Sequence, residues 1–157
     1  MRANIKNMFI DPTTSALVTP ITSASSQLKY AVDGFTALSH REDTLNPLGV
    51  WIQWSALTNA GTNSYRFQVQ ESTDVAGATG VLTVADTGAM LSATDPRLLN
   101  NTSLFIAIDW NLVTEEFLTV LVTLAGNGTP SISIVMAVLC NTSDIPRFTT
   151  VAANYTP

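Results

Sequence analysis

The residues able to do chemistry are few and scattered. His40 is the one histidine in 157 residues. A serine–histidine–carboxylate relay would have to use it, and its neighbour Ser39 is too close along the chain to present a hydroxyl to the ring. His40 therefore reads as a solvated loop histidine. The carboxylates include two adjacent pairs, Glu42-Asp43 and Glu115-Glu116. Neighbours on an extended chain point apart, so neither pair makes an acid/base dyad. A transition-metal centre needs several imidazole or thiolate ligands, and the chain offers His40 and one cysteine, Cys140. Oxygen ligands around Asp74 and Asp86 are too sparse for a calcium loop. No glycine-rich phosphate loop follows a strand and opens a helix. The expectation is a protein that is not an enzyme, with no cofactor and no metal.

Binding classes narrow in the same way. The formal net charge is −5, and the seven basic residues Arg2, Lys6, Lys29, Arg41, Arg66, Arg97 and Arg147 form no stripe. A phosphate backbone needs such a stripe, so no direct nucleic-acid partner is expected. The longest apolar runs fall short of the ~20 residues that span a membrane, so no membrane partner is expected either. Met8-Phe9-Ile10 is too short for a signal peptide and runs at once into Asp11-Pro12, which points to a chain made in the cytoplasm. The Asn-x-Ser/Thr matches at Asn101, Asn127, Asn141 and Asn154 then read as chance in an Asn/Thr-rich chain. With one cysteine no disulfide forms within the chain, and Cys140, at the end of an apolar run, reads as a buried thiol.

Charged residues make up 12% of the chain, about half the usual share, while apolar residues make up 46%. Mean hydropathy is +0.25. Interface cores are depleted of charge, so this composition predicts a surface that faces other subunits. A homo-oligomer follows as an expectation.

The elements that position these residues are β-strands. Glu116 to Leu124 and Ser131 to Cys140 are two β-branched runs around Ala125-Gly126-Asn127-Gly128-Thr129-Pro130, the strand–turn–strand pattern of a hairpin. Val135 to Leu139 has almost no polar break, which predicts burial on both faces. Tyr65, Phe67 and Val69 alternate with Arg66, Gln68 and Gln70, which predicts one apolar face. Further strands are expected over 27–32, 49–56, 80–85 and 103–109, with one helical turn capped by Asp95-Pro96. About eight strands and no long helix predict an all-β, antiparallel, jelly-roll-like sandwich over 27–157. Residues 1–26 read as an extended N-terminal arm, because Pro12 and Pro20 exclude it from a central ladder. Its apolar residues Ile5, Met8, Phe9, Ile10, Leu17, Val18 and Ile21 are the candidate assembly interface.

The order of features resembles the capsid cement, or decoration, proteins of tailed bacteriophages. An apolar, Ser/Thr-rich arm comes first. Leu28 to Gly34 then precedes a polar loop and the strand Leu48-Gly49-Val50-Trp51-Ile52-Gln53. Tyr65 to Asp74 leads into a small-residue loop, and Glu116 to Thr123 passes through a glycine turn into an apolar final strand. The resemblance implies a trimer on the outer capsid surface of a virion, made in the host cytoplasm. Its partner would be the major capsid protein, and its arm would reach across to neighbours. Trp51, Trp54 and Trp110 have no place in that pattern. Two other readings fit the composition: a different virion part, such as a capsid subunit or fibre head domain, and a carbohydrate-binding β-sandwich module. The carbohydrate module requires those tryptophans to line a solvent-facing groove.

Overall fold

A computed structural model describes residues 20–22, 24–28, 32–33, 48–99 and 102–142. Nine strands lie among them: β1 (Ser25–Gln27), β2 (Val32–Asp33), β3 (Leu48–Leu57), β4 (Ser64–Ser72), β5 (Leu82–Asp86), β6 (Met90–Leu91), β7 (Ser103–Ala107), β8 (Phe117–Ala125) and β9 (Ile132–Asn141). The helical turn among the described residues is α1 (Pro96–Leu99). The strands form two antiparallel sheets, β7-β3-β9 and β1-β8-β4-β5, with the short β2 beside β8 and the short β6 beside β4. The chain is an all-β sandwich. Long strands switch sheets as the chain advances, β3 to β4 and β8 to β9, as in jelly-roll-like folds.

Side-chain alternation decides which face of each strand turns inward. Tyr65, Phe67 and Val69 on β4 are completely buried, while Arg66, Gln68 and Gln70 on the other face are half-buried. From β8, Leu118, Val120 and Val122 meet them, also with no exposure. From the opposite sheet come Val50, Ile52 and Trp54 of β3. Trp54 stacks on Phe67 across the core, with ring centroids 6.3 Å apart. Burying an aromatic or branched side chain of this kind contributes about 1.5–3 kcal/mol.

The pair of strands expected to form a hairpin does not pair. β8 lies between β1 and β4 in one sheet, and β9 pairs with β3 in the other. The glycine-rich link is a corner between sheets rather than a hairpin turn. The physical reason is hydrophobic. β8 and β9 each carry a core face, and opposing those faces across the sandwich buries more apolar surface than laying them side by side. β8 is central in its sheet. In the other sheet the central strand is β3, with β9 outside it among the described residues.

β9 is nonetheless buried on both faces, as its sequence predicts. Ile132, Ile134, Ala137 and Leu139 join the main core, while Met136, Val138 and Cys140 join Trp51 and Phe105 in a second apolar cluster. The change of parity between Ile134 and Met136 coincides with a register shift opposite Gln53 and Trp54. A bulge of this kind adds one residue and turns the following side chains over. Cys140 is a buried thiol, as expected.

The corner itself is tight. Gly126 has φ +125°, open to glycine and strained for other residues. A Cβ there would stand 2.6 Å from Asn63 Cα. Asn63 is fully buried, donating from Nδ2 to Gly128 O at 3.0 Å and accepting from Gly128 N at 2.9 Å. The Tyr65 hydroxyl lies 2.8 Å from Thr58 O and 3.0 Å from Ser131 O, sharing its one proton. Burial pushes the Tyr65 hydroxyl above the usual phenol range. The helical turn is capped as predicted: Asp95 Oδ1 accepts from Arg97 N at 2.9 Å, and Pro96 stands first.

Candidate functional site

Of the seven arm residues, Ile21 alone falls among the described residues. Ile5, Met8, Phe9, Ile10, Leu17 and Val18 lie outside them, as does His40. Ile21 forms an isolated antiparallel bridge to Ile132 at the start of β9. Its N–H donates to Ile132 O at 2.9 Å, and its carbonyl accepts from Ile132 N at 3.1 Å. Its half-buried side chain packs on the main core. A few residues on, Ala24 O accepts from Leu124 N at 2.9 Å, and β1 pairs Ser25, Ser26 and Gln27 with Thr123, Val122 and Leu121. Leu28 N then donates to Val120 O at 2.9 Å, and the Leu28 side chain is buried.

The described residues between Ile21 and Leu28 therefore act as a strap. One end is tied to β9 of one sheet and the other to β8 of the second. The boundary expected between 26 and 27 falls inside β1. Where a single strand was expected over 27–32, the described residues form β1 and β2, both on β8 but in different registers. β2 pairs Val32 with Leu118, two residues out of step with the register of β1. Exposed Pro20 stands just outside the bridge, in keeping with its lack of an N–H.

A second surface lies on the opposite side of β4, where β5 and β6 pair. Leu82 on β5, Leu91 on β6 and Leu99 at the end of α1 are all exposed, Leu82 at 58%. The outer edge of β5 carries no strand partner among the described residues. The shortage of charge hints at such a surface, but no local pattern marks these leucines.

Electrostatics on that side are self-contained. Arg66 forks onto Asp86, with Nε 2.9 Å from Oδ1 and Nη2 closing the pair on Oδ2. Arg97 forks onto Asp95 and also donates from Nη1 to Thr87 O at 2.9 Å. These guanidinium contacts hold Asp86 and Asp95 below the usual carboxylate range and raise both arginines. Paired in this way, neither arginine is poised for a phosphate.

Asp74 and Glu71 bond to backbone amides within the fold. Asp74 accepts from the backbone N–H groups of Ala76 at 2.8 Å and Thr79 at 2.6 Å, with Thr79 the main cause of its lowered proton affinity. Glu71 is completely buried, and Thr114 and Glu115 saturate it. Sequence reading missed Glu71. The signal was its parity, since it shares the inward face with Tyr65, Phe67 and Val69. Among the described residues no group of three His, Cys, Asp or Glu side chains is placed to hold a metal ion.

Trp51, Trp54 and Trp110 are all buried, at 1%, 4% and 9% exposure. The solvent-facing aromatic groove required by a carbohydrate module is not formed by these residues. No helix among the described residues is long and apolar enough to cross a membrane. In comparisons with known proteins, no family model, no curated protein and no solved structure matches the chain.

Proposed function

We propose that this chain is a non-enzymatic structural protein of a virion. It would act as a cement protein on the outer capsid surface of a tailed phage, binding across joints between major capsid protein subunits. The observation that carries the reading is the combination of 12% charged residues with exposed Leu82, Leu91, Leu99 and Leu112. Such a surface is suited to being covered by other chains. In this reading a homotrimer covers part of it and the capsid the rest. The apolar residues of the arm, upstream of the strap, contact neighbours. Contacts available only in the assembled lattice stabilise that lattice by mass action, and three copies multiply weak contacts into avidity.

Two measurements test this. Sedimentation at micromolar concentration is expected to show a trimer, and a single species of 16.8 kDa counts against it. Purified protein added to expanded phage heads stripped of cement protein is expected to bind them and delay their disruption by heat. A trimer that ignores heads of the source virus points instead to another virion part, such as a capsid subunit or fibre head domain.

A further inference from the structure

Asn127-Gly128 is the one Asn-Gly step in the chain, and it lies at the tip of the corner between β8 and β9. In an open chain such a step modifies itself. The Gly128 amide nitrogen gives up its proton and attacks Asn127 Cγ. A nitrogen–carbon bond forms, the Cγ–Nδ2 bond breaks, and ammonia leaves, which closes a succinimide ring. Water then opens the ring at either carbonyl, leaving aspartate or isoaspartate. Glycine at the second position has no Cβ to hinder the approach.

The fold holds both reacting groups away from this path. The Gly128 N–H, whose proton must be lost, donates to Asn63 Oδ1 at 2.9 Å. Asn63 is itself immobile, being fully buried and donating back to Gly128 O at 3.0 Å. A Cβ added at Gly128 would stand 2.9 Å from Asn63 Oδ1 and 3.0 Å from Ala60 Cβ, so this backbone has little room to swing. On the other side, Thr62 Oγ1 donates to Asn127 Oδ1 at 2.6 Å and accepts from Asn127 N at 3.4 Å, which fixes the electrophilic amide.

We propose that Asn127-Gly128 is a latent self-modification site, kept closed by Asn63 and Thr62. It reacts when the corner opens and is protected while both sheets are joined. The rate of the chemistry then follows the local opening of the corner. The product is not neutral to the structure. Isoaspartate inserts a methylene into the backbone where Asn63 and Ala60 leave no space, so modification undoes the clamp that had prevented it.

The test incubates the full chain at mildly alkaline pH, folded and in urea, and maps aspartate and isoaspartate by peptide mass spectrometry. Asn127 is expected to convert ahead of every other asparagine in urea, and roughly tenfold more slowly in the folded chain, the scale of one or two lost hydrogen bonds. Thr62→Val and Asn63→Ala, checked for folding by melting, are expected to raise the folded-state rate at Asn127 by a similar factor. Equal rates at Asn127 in the folded and unfolded chains would overturn the proposal. So would a folded Thr62→Val or Asn63→Ala chain that ages no faster than the original. If Asn63→Ala does not fold, Thr62→Val and hydrogen exchange at the Gly128 amide decide the matter. Fast exchange there in the native chain refutes the protection.

Discussion

Glu71 Oε2 accepts the backbone N–H of Thr114 at 2.6 Å, across 43 residues of chain. The same oxygen accepts Glu115 N at 2.9 Å, and Oε1 lies 3.1 Å from Thr114 Oγ1. A carboxylate with no exposure is costly unless such donors surround it. The pairing explains why a charge sits on the inward face of β4. It anchors the loop that leads into β8, the central strand of its sheet.

Replacing Glu71 should therefore cost more than its one side chain. Glu71→Ala orphans two backbone donors and is expected to lose about 3 kcal/mol. Glu71→Gln keeps the shape and loses the charge, and a smaller penalty is expected. Urea denaturation of both variants checks this; an Ala variant as stable as the original would refute the anchor.

Thr119 offers the opposite case. Its side chain is 3% exposed, and its hydroxyl has no hydrogen-bond partner among the described residues. Thr119→Val removes that unpaired group at nearly constant shape, and a gain of about 1 kcal/mol is expected. A lower melting temperature in the Val variant would show that the hydroxyl is satisfied in solution.

Acid should weaken the fold through Asp86, Asp95 and Asp74, whose proton affinities are lowered mainly by Arg66, Arg97 and Thr79. Their folded-state values lie below the unfolded ones, so the unfolded chain binds protons first as pH falls. The stability they contribute is present above the unfolded carboxylate pKa of about 3.9, and it is lost as pH drops through the folded values. Melting as a function of pH is expected to decline on that acid limb. Asp86→Asn should flatten part of the decline; an unchanged limb would remove Asp86 from the account.

Two truncations separate the strap from the arm. A chain beginning at Pro20 keeps the Ile21–Ile132 bridge and β1, and should melt near the full chain while losing association. A chain beginning at Gln27 also loses the Ile21 and Ala24 hydrogen bonds. It also loses the pairing of Ser25 and Ser26 with β8, and should be less stable by more than about 3 kcal/mol, at about 1 kcal/mol per bond. Equal melting of the two chains would mean that the strap adds nothing to the sandwich.

Trp54 and Phe67 join the two sheets across the core. Phe67→Ala should cost about 3–5 kcal/mol by leaving a cavity. A double-mutant cycle with Trp54→Ala should show a coupling of about 0.5–1.5 kcal/mol. A cycle that closes to zero would reduce their stacking to simple proximity.

Much of the sandwich was legible in the chain because strand periodicity is local. The alternation of Tyr65, Phe67 and Val69 names an inward face without any knowledge of the partner, and the unbroken run from Val135 to Leu139 announces burial on both sides. Asp95-Pro96 marks its helical turn for the same reason, since a cap and a first helical position are set by neighbours. What the tertiary structure alone decided is which strands meet. A glycine-rich link between two apolar strands serves a hairpin and a corner between sheets equally well. The choice falls to the core faces of β8 and β9, which bury most when they oppose each other. The strap from Ile21 to Leu28 was hidden because its hydrogen bonds run to residues about a hundred positions away. Glu71 was hidden because its partners are backbone amides, which every residue carries and no sequence distinguishes.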